Sequence, residues 1–261
     1  MICPNCGREL HEQQILGLRF IPPCTCQEEA ERMLRQEEIL RGTGNLAAAY
    51  LRLSGVSKRY RTADLHSIQP KGGQEKALEA CRALAENLED GTGLLLVGGV
   101  GSGKTLLASA TAVRMCKKQA EGAREDFKRN FARVTDTLDY LLRPWVQMVS
   151  TVTLFSQLKA CFDGAGRAED ILEKYKTARL LILDDLGAET ATEWVRERLF
   201  EIIDSRYGAC LPLLVTTNLL PAELESRLGK RIADRLREMC RVVNITTASQ
   251  RATAGRENKA C

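Results

Sequence analysis

An aliphatic run followed by a glycine-rich loop is the strongest chemical signal in this chain. Residues 94–97 lead into the sequence Gly98-Gly99-Val100-Gly101-Ser102-Gly103-Lys104-Thr105, which has the spacing G-x-x-x-x-G-K-[ST]. The flanking residues predict a buried strand before this phosphate loop (residues 98–105) and a helix after it, with Leu106 in the first turn. The backbone N–H groups of such a loop and the positive end of the helix dipole can surround a polyphosphate. Lys104 is then expected at the β and γ phosphates, and the Thr105 hydroxyl on magnesium.

A second aliphatic run ends in two neighbouring carboxylates. Residues 180–183 are all leucine or isoleucine, and Asp184 and Asp185 follow them directly. Because ligands of open parallel sheets bind at the carboxyl ends of the strands, we expect both acids beside the phosphates. Asp184 is the candidate magnesium ligand, and Asp185 is the candidate that orients or activates the attacking water. A surface turn that happens to hold two aspartates is the alternative.

Asn218 follows a further predicted strand over residues 213–217. An amide at that strand end can hold the attacking water or the γ-phosphate, although an asparagine in this position can also be a simple turn cap. The basic residues between 227 and 241 alternate with apolar ones, and a solvated helix explains most of that charge.

Four cysteines lie close to the N-terminus. The pairs Cys3-x-x-Cys6 and Cys24-x-Cys26 are separated by a short segment rich in glycine and proline. Two such pairs can place four thiolates in one tetrahedron, which is the geometry of a structural zinc site. The spacing therefore predicts zinc bound by these four residues. A reducible thiol pair or a cysteine-rich tail without metal are the alternatives.

Composition limits the class of protein. The chain has 261 residues, of which 44% are apolar and 28% charged, with a formal charge of +4. This length predicts one main domain and one small one, and no apolar run approaches the length of a membrane span. The first residues show no secretion signal, so a cytoplasmic protein with mostly reduced thiols is expected.

The order of the predicted elements indicates an α/β fold. Five predicted strands alternate with helices, which predicts a five-stranded, mostly parallel sheet between helices. The second strand is predicted over residues 145–149, and the next helix is predicted to begin with a cap at Thr153. The helix after the phosphate loop is expected to end near Lys118, before a charged, helical-looking surface insertion over residues 120–140.

Several short motifs occur along the chain in a characteristic order. They are the phosphate loop, Leu183-Asp184-Asp185-Leu186-Gly187-Ala188-Glu189, Thr216-Thr217-Asn218, Arg231-Ile232-Ala233-Asp234-Arg235-Leu236 and Ser249-Gln250-Arg251. Together they resemble the motifs of the DnaC/DnaI-type replicative helicase loaders, in the IstB-like ATP-binding group of the AAA+ superfamily. The resemblance implies a zinc-binding, helicase-interacting domain over residues 1–45 and an AAA+ ATPase domain without a helical lid over 46–252. Residues 253–261 are expected to be a disordered tail.

The resemblance also implies roles for two arginines. Arg235 matches the arginine finger that reaches the γ-phosphate of a neighbouring subunit, and Arg251 matches the second-sensor arginine. Gln250 departs from the tyrosine of that motif, and Asp185 stands where AAA+ proteins usually have glutamate, which is one methylene longer. Slow ATP turnover is therefore expected.

The function implied by the resemblance is loading of the replicative hexameric helicase onto single-stranded DNA during DNA replication. The implied cofactors are ATP, magnesium and zinc, and the protein is expected to form a homo-oligomer in the ATP state and to have no membrane contact. ATP hydrolysis at subunit interfaces is expected, stimulated by DNA or by oligomerisation. The alternatives are an IstB-like transposition ATPase and a nucleotide-gated zinc adaptor that hydrolyses nothing.

Overall fold

The structure, a computed structural model, describes residues 46–129, 144–163, 167–188 and 192–246, with short pieces at 2, 7, 9, 13–15 and 18–20. The chain divides into two compact units, Met1–Leu46 and Ala47–Cys261. In the first unit, strands β1 (Gln13–Ile15) and β2 (Leu18–Phe20) form an antiparallel pair. The predicted domain bounds and their roles stay predictions.

The second unit is built on one parallel sheet. Its strands are β3 (Gly93–Gly98), β4 (Val146–Ser150), β5 (Leu180–Leu186), β6 (Leu213–Thr217) and β7 (Cys240–Ile245). They lie in the order β4-β5-β6-β3-β7, and every neighbouring pair is parallel. The predicted five-stranded parallel α/β sheet is therefore confirmed. Long aliphatic runs form these strands because a parallel sheet is covered on both faces.

Eight α-helices are described from Leu46 onward. They are α1 (Leu46–Leu53), α2 (Glu75–Glu86), α3 (Lys104–Arg129), α4 (Thr151–Ala160), α5 (Ala168–Thr177), α6 (Glu193–Gly208), α7 (Pro221–Leu228) and α8 (Lys230–Met239). Side chains of α4 to α8 share one buried apolar cluster with alternate residues of the strands, such as Leu95 and Leu183. Helix α3 contacts strands β3 to β6 and packs against α2. The sheet thus lies between two helical layers, with its carboxyl edge free for a site.

Two helix boundaries differ from the predicted ones. Helix α3 continues to Arg129 instead of ending near Lys118, because the charged residues there are good helix formers and one glycine costs only about 1 kcal/mol. Helix α4 begins at Thr151, and its cap is Ser150, whose Oγ accepts the Thr153 N–H at 3.1 Å. The predicted threonine cap was wrong because a serine three residues earlier caps the same helix.

Several predictions fall on residues outside the described ranges. These include the four cysteines at 3, 6, 24 and 26, the remainder of the charged insertion from 130 to 140, Arg251 and the tail. Within the described residues, no group of three or more metal-binding side chains is gathered. None of the described helices is long and apolar enough to cross a membrane.

Candidate functional site

The phosphate loop joins β3, an inner strand of the sheet, to the first turn of α3. Gly101 and Gly103 have φ values of 80° and 92°, a left-handed backbone that side chains other than glycine rarely allow. A Cβ on Gly98 would lie 2.7 Å from the Ile245 carbonyl oxygen on the neighbouring strand β7. Glycines at these positions therefore permit the tight turn and the close approach of two strands. Leu106 lies half-buried in the first turn of α3.

Lys104 is the charged group at the centre of the loop. Its side chain is 7% exposed, and its ammonium donates to the carbonyl oxygens of Gly98 at 2.7 Å and Gly99 at 2.9 Å. It also donates to Asn218 Oδ1 at 2.6 Å. The lysine therefore connects the phosphate loop with the end of β6.

Asp184 lies between the phosphate loop and β6. Its Oδ1 accepts the Thr105 hydroxyl at 3.0 Å and the Thr216 hydroxyl at 2.7 Å. The Thr216 oxygen in turn accepts the Asp185 N–H at 2.8 Å. Thr216 thus fixes both acids, a function that sequence reasoning missed. The only available signal was its position two residues before Asn218, which becomes informative once β5 and β6 are known to be neighbours.

Asp185 has a left-handed backbone, with φ at 59°. The pairing of β5 with β6 shifts register between Leu183 and Leu186, so both acids lie in a bulge. Successive side chains of a regular strand point to opposite faces. In this bulge Asp184 contacts Thr105, while Asp185 Oδ1 accepts the Asn218 amide N–H at 3.1 Å. Both carboxylates therefore reach residues of the same site.

Burial raises the pKa of Asp184, and the negative charge of Asp185 raises it further. The hydroxyls of Thr216 and Thr105 and the charge of Lys104 act in the opposite direction. A half-buried carboxylate beside a threonine hydroxyl is an oxygen pair of the kind that magnesium binds together with phosphate oxygens. The residues present therefore fit a magnesium ion with a polyphosphate.

Asp184→Asn should raise the melting temperature of the nucleotide-free, metal-free protein at pH 7. Because the folded-state pKa is raised, the folded protein holds the proton more tightly than the unfolded chain does. The tighter proton binding stabilises the folded protein at low pH, and this stabilisation is lost as the pH rises through the raised pKa. Asparagine keeps an oxygen for Thr105 and Thr216 but carries no charge. Calorimetry in a chelator should show an advantage of the variant that grows as the pH rises above about 4.

Glu79→Gln serves as the control for this experiment, because Glu79 is exposed in the middle of α2 and loses the same charge. Its melting temperature should follow that of the parent at each pH. A lower melting temperature for Asp184→Asn than for the parent at pH 7 would contradict the assigned cost of the buried charge.

Arg235 is not brought to this site in the structure. Arg235 Nε donates to Asp204 Oδ1 at 2.9 Å, its guanidinium lies 4.1 Å from the centre of the Tyr207 ring, and Nη1 lies 3.5 Å from Glu238. These partners belong to α6 and α8, away from the residues of the phosphate loop. Arg251 lies outside the described residues.

Comparison with known proteins finds one matching family model and several similar proteins. The family model for IstB-like ATP-binding proteins matches residues 144–258. The YdaV protein of Escherichia coli K12 is 26% identical over 212 residues, which cover 80% of this chain and 74% of YdaV. The replicative helicase loader DnaC of the same strain is 26% identical over 168 residues, which cover 63% of this chain and 58% of DnaC.

A solved structure has the same fold. The crystal structure of the DnaC helicase loader matches with a TM-score of 0.56 and 29% identity, covering 72% of this chain and 99% of that chain. The chain is accordingly similar to the DnaC/DnaI-type helicase loaders of the AAA+ superfamily and, over residues 144–258, to the IstB-like ATP-binding proteins.

Proposed function

We propose that this protein is an ATP-driven loader that places a replicative hexameric helicase on single-stranded DNA in the cytoplasm during DNA replication. The observation that carries the proposal is the meeting of Lys104, Thr105 and Asp184 at the carboxyl edge of the sheet, where Thr105 Oγ1 lies 3.0 Å from Asp184. Similarity to proteins named replicative helicase loader DnaC supports the biological role.

ATP binding follows from the residues of the loop. The backbone N–H groups of residues 98–105 would surround the triphosphate, and Lys104 would exchange two carbonyl contacts for phosphate oxygens. Thr105 and Asp184 would hold magnesium, which supplies positive charge beside the β and γ phosphates when bound. Since Lys104 already lies among oxygen atoms, little side-chain ordering remains to be done on binding.

Asp185 and Asn218 are proposed to orient the attacking water. Asn218 contacts Lys104 through its oxygen and Asp185 through its amide nitrogen, so a movement of the lysine towards phosphate changes the contacts of the acid. Asp185 is shorter than glutamate, and its carboxylate is held by Asn218. Slow turnover by the isolated protein is the expected consequence.

Arg235 is proposed to complete the site of a neighbouring subunit, and Arg251 to contact the nucleotide as a second sensor. Arg235→Ala should leave ATP affinity unchanged and lower turnover about 10²–10³-fold, the effect of removing one charge from a transition-state contact. Turnover measured against protein concentration checks this, because a shared site requires assembly.

Arg237→Ala is the matched control. Arg237 lies on the same helix and pairs with Asp234 at 2.8 Å and with Glu225. Its removal should change turnover less than twofold. Equal ATPase rates for Arg235→Ala and the parent would remove the case for a shared site.

An exposed aromatic side chain, Phe162, supports single-stranded DNA as a partner. Phe162 is 74% exposed, and its ring centre lies 5.9 Å from that of Trp194. Bases of single strands stack on exposed aromatic side chains without regard to sequence.

Residues 1–45, with zinc bound by Cys3, Cys6, Cys24 and Cys26, are proposed to contact the helicase.

A pull-down tests the proposed function. The full chain should retain a replicative hexameric helicase in the presence of ATP, and a chain without residues 1–45 should not. Single-stranded DNA should stimulate ATP turnover by the full chain. No retention would contradict the loader and favour the IstB-like transposition ATPase, which the matching family model also supports. Retention without any ATP turnover would indicate a nucleotide-gated adaptor.

A further inference from the structure

We infer that Gln74 is a positioning residue for the phosphate loop, an inference that rests on the proposed ATP binding. Gln74 lies at the start of α2 and is 4% exposed. Its Nε2 donates to the Ser102 carbonyl oxygen at 2.7 Å, and its Oε1 accepts the Lys71 N–H at 2.9 Å. Both ends of the side-chain amide are therefore engaged, one of them on the loop itself.

The loop needs this donor because of its backbone geometry. A loop that turns its N–H groups towards phosphate must turn some carbonyl groups outward, into the protein. Ser102 is fully buried, and a buried carbonyl without a donor costs free energy. Gln74 supplies the donor for the Ser102 carbonyl, two residues before Lys104. Its hydrogen bond thus favours the loop conformation that binds phosphate.

Steric fit at the next residue gives independent support. Gly103 has φ at 92°, and a Cβ built on it would lie 2.6 Å from Gln74 Nε2. The Gln74 amide therefore occupies the space beside Gly103 as well as contacting Ser102. Two consecutive loop residues are matched to this one side chain, which is 28 positions earlier than Ser102 in the chain.

The test replaces Gln74 by methionine, which keeps the length of the side chain and removes both hydrogen bonds. Calorimetric affinity for ATP with magnesium should fall about tenfold, the effect of one buried hydrogen bond. The affinity for inorganic tripolyphosphate with magnesium should fall by the same factor, since the effect acts on the phosphate loop and not on the base. Affinity is measured well below the melting temperature, where loss of stability alone does not change it.

Gln119→Met is the matched control. Gln119 is equally buried in α3, and its Oε1 accepts the Trp145 N–H at 2.8 Å, away from the phosphate loop. It should lose a similar amount of thermal stability with no change in ATP affinity. ATP binding by Gln74→Met within twofold of the parent, or an equal loss in Gln119→Met, would overturn the inference.

Two further measurements separate the possible failures. If Gln74→Met does not fold, Gln74→Glu is measured in its place, because glutamate keeps the acceptor for the Lys71 N–H and lacks the donor for the Ser102 carbonyl. The same tenfold loss of ATP affinity is expected. Unchanged ATP affinity would refute the inference. If the parent and Lys104→Ala bind ATP equally poorly, the proposed function fails, and the positioning role fails with it. If the parent binds and Lys104→Ala does not, an unchanged Gln74 variant refutes the positioning role alone.

Discussion

Lys104→Ala should lower the affinity for ATP with magnesium by about 100–1,000-fold, which removes detectable binding in most assays. The ammonium is the buried cation of the phosphate loop, and its neighbours within 3 Å are the oxygens of Gly98, Gly99 and Asn218. Hydrogen bonds from a charged donor are worth about 1.5–3 kcal/mol each. Phosphate oxygens would take the place of these neutral acceptors, so the lysine contributes more in the bound state than in the free one. Titration calorimetry measures the loss directly.

Lys118→Ala is the control for the lysine experiment. Lys118 lies on the same helix, is half-exposed, and pairs with Glu86 at 3.2 Å. It should bind ATP as the parent does. Circular dichroism should show that Lys104→Ala retains its helices, because the sheet and helix contacts do not depend on the ammonium. ATP affinity within threefold of the parent would move the nucleotide site away from this loop.

Arg206→Met should cost about 3–5 kcal/mol of folding free energy and lower the melting temperature by roughly 10 °C. The side chain is fully buried in α6. Its Nη1 donates to the carbonyl oxygens of Tyr175 at 2.9 Å and Ala178 at 2.7 Å, and its Nη2 donates to Pro212 at 2.6 Å. The guanidinium therefore donates to carbonyl groups at the end of α5 and in the segment before β6. Its positive charge also interacts favourably with the partial negative charge at the C-terminus of α5.

Burial lowers the pKa of Arg206 to about 9, so the side chain remains charged at neutral pH. The destabilisation of Arg206→Met should accordingly be the same at pH 6 and pH 8. Methionine fills much of the volume but leaves the carbonyls without donors. Unfolding by denaturant measures the resulting loss of folding free energy.

Arg198→Met is the control, since Arg198 is half-exposed and pairs with Glu201 at 2.6 Å. It should cost less than about 1 kcal/mol. Equal losses in both variants would contradict the role assigned to Arg206.

The elements of the core could be predicted from local sequence. The strands over Val146–Ser150 and Leu213–Thr217 occur where the pattern indicated them, because an aliphatic run is defined by residues close together in the chain. Where two possible caps lie close together, local sequence does not decide at which residue the helix begins. Ser150 and Thr153 are both good helix caps, and only the packed structure shows that the serine is used.

The sequence by itself determined the chemistry of the phosphate loop, since its glycines, Lys104 and Thr105 are consecutive and need only one turn of backbone to act together. The tertiary structure alone decided what holds that chemistry in place, namely Thr216 and the bulge at Asp184 and Asp185. It also decided the burial of Arg206, which lies away from the phosphate loop. A charged residue within a helical sequence pattern is predicted to be exposed to solvent. Its burial becomes favourable only when segments far apart in the chain supply partners, as the carbonyls of α5 and of Pro212 do for Arg206, and that pairing depends on strand order and register.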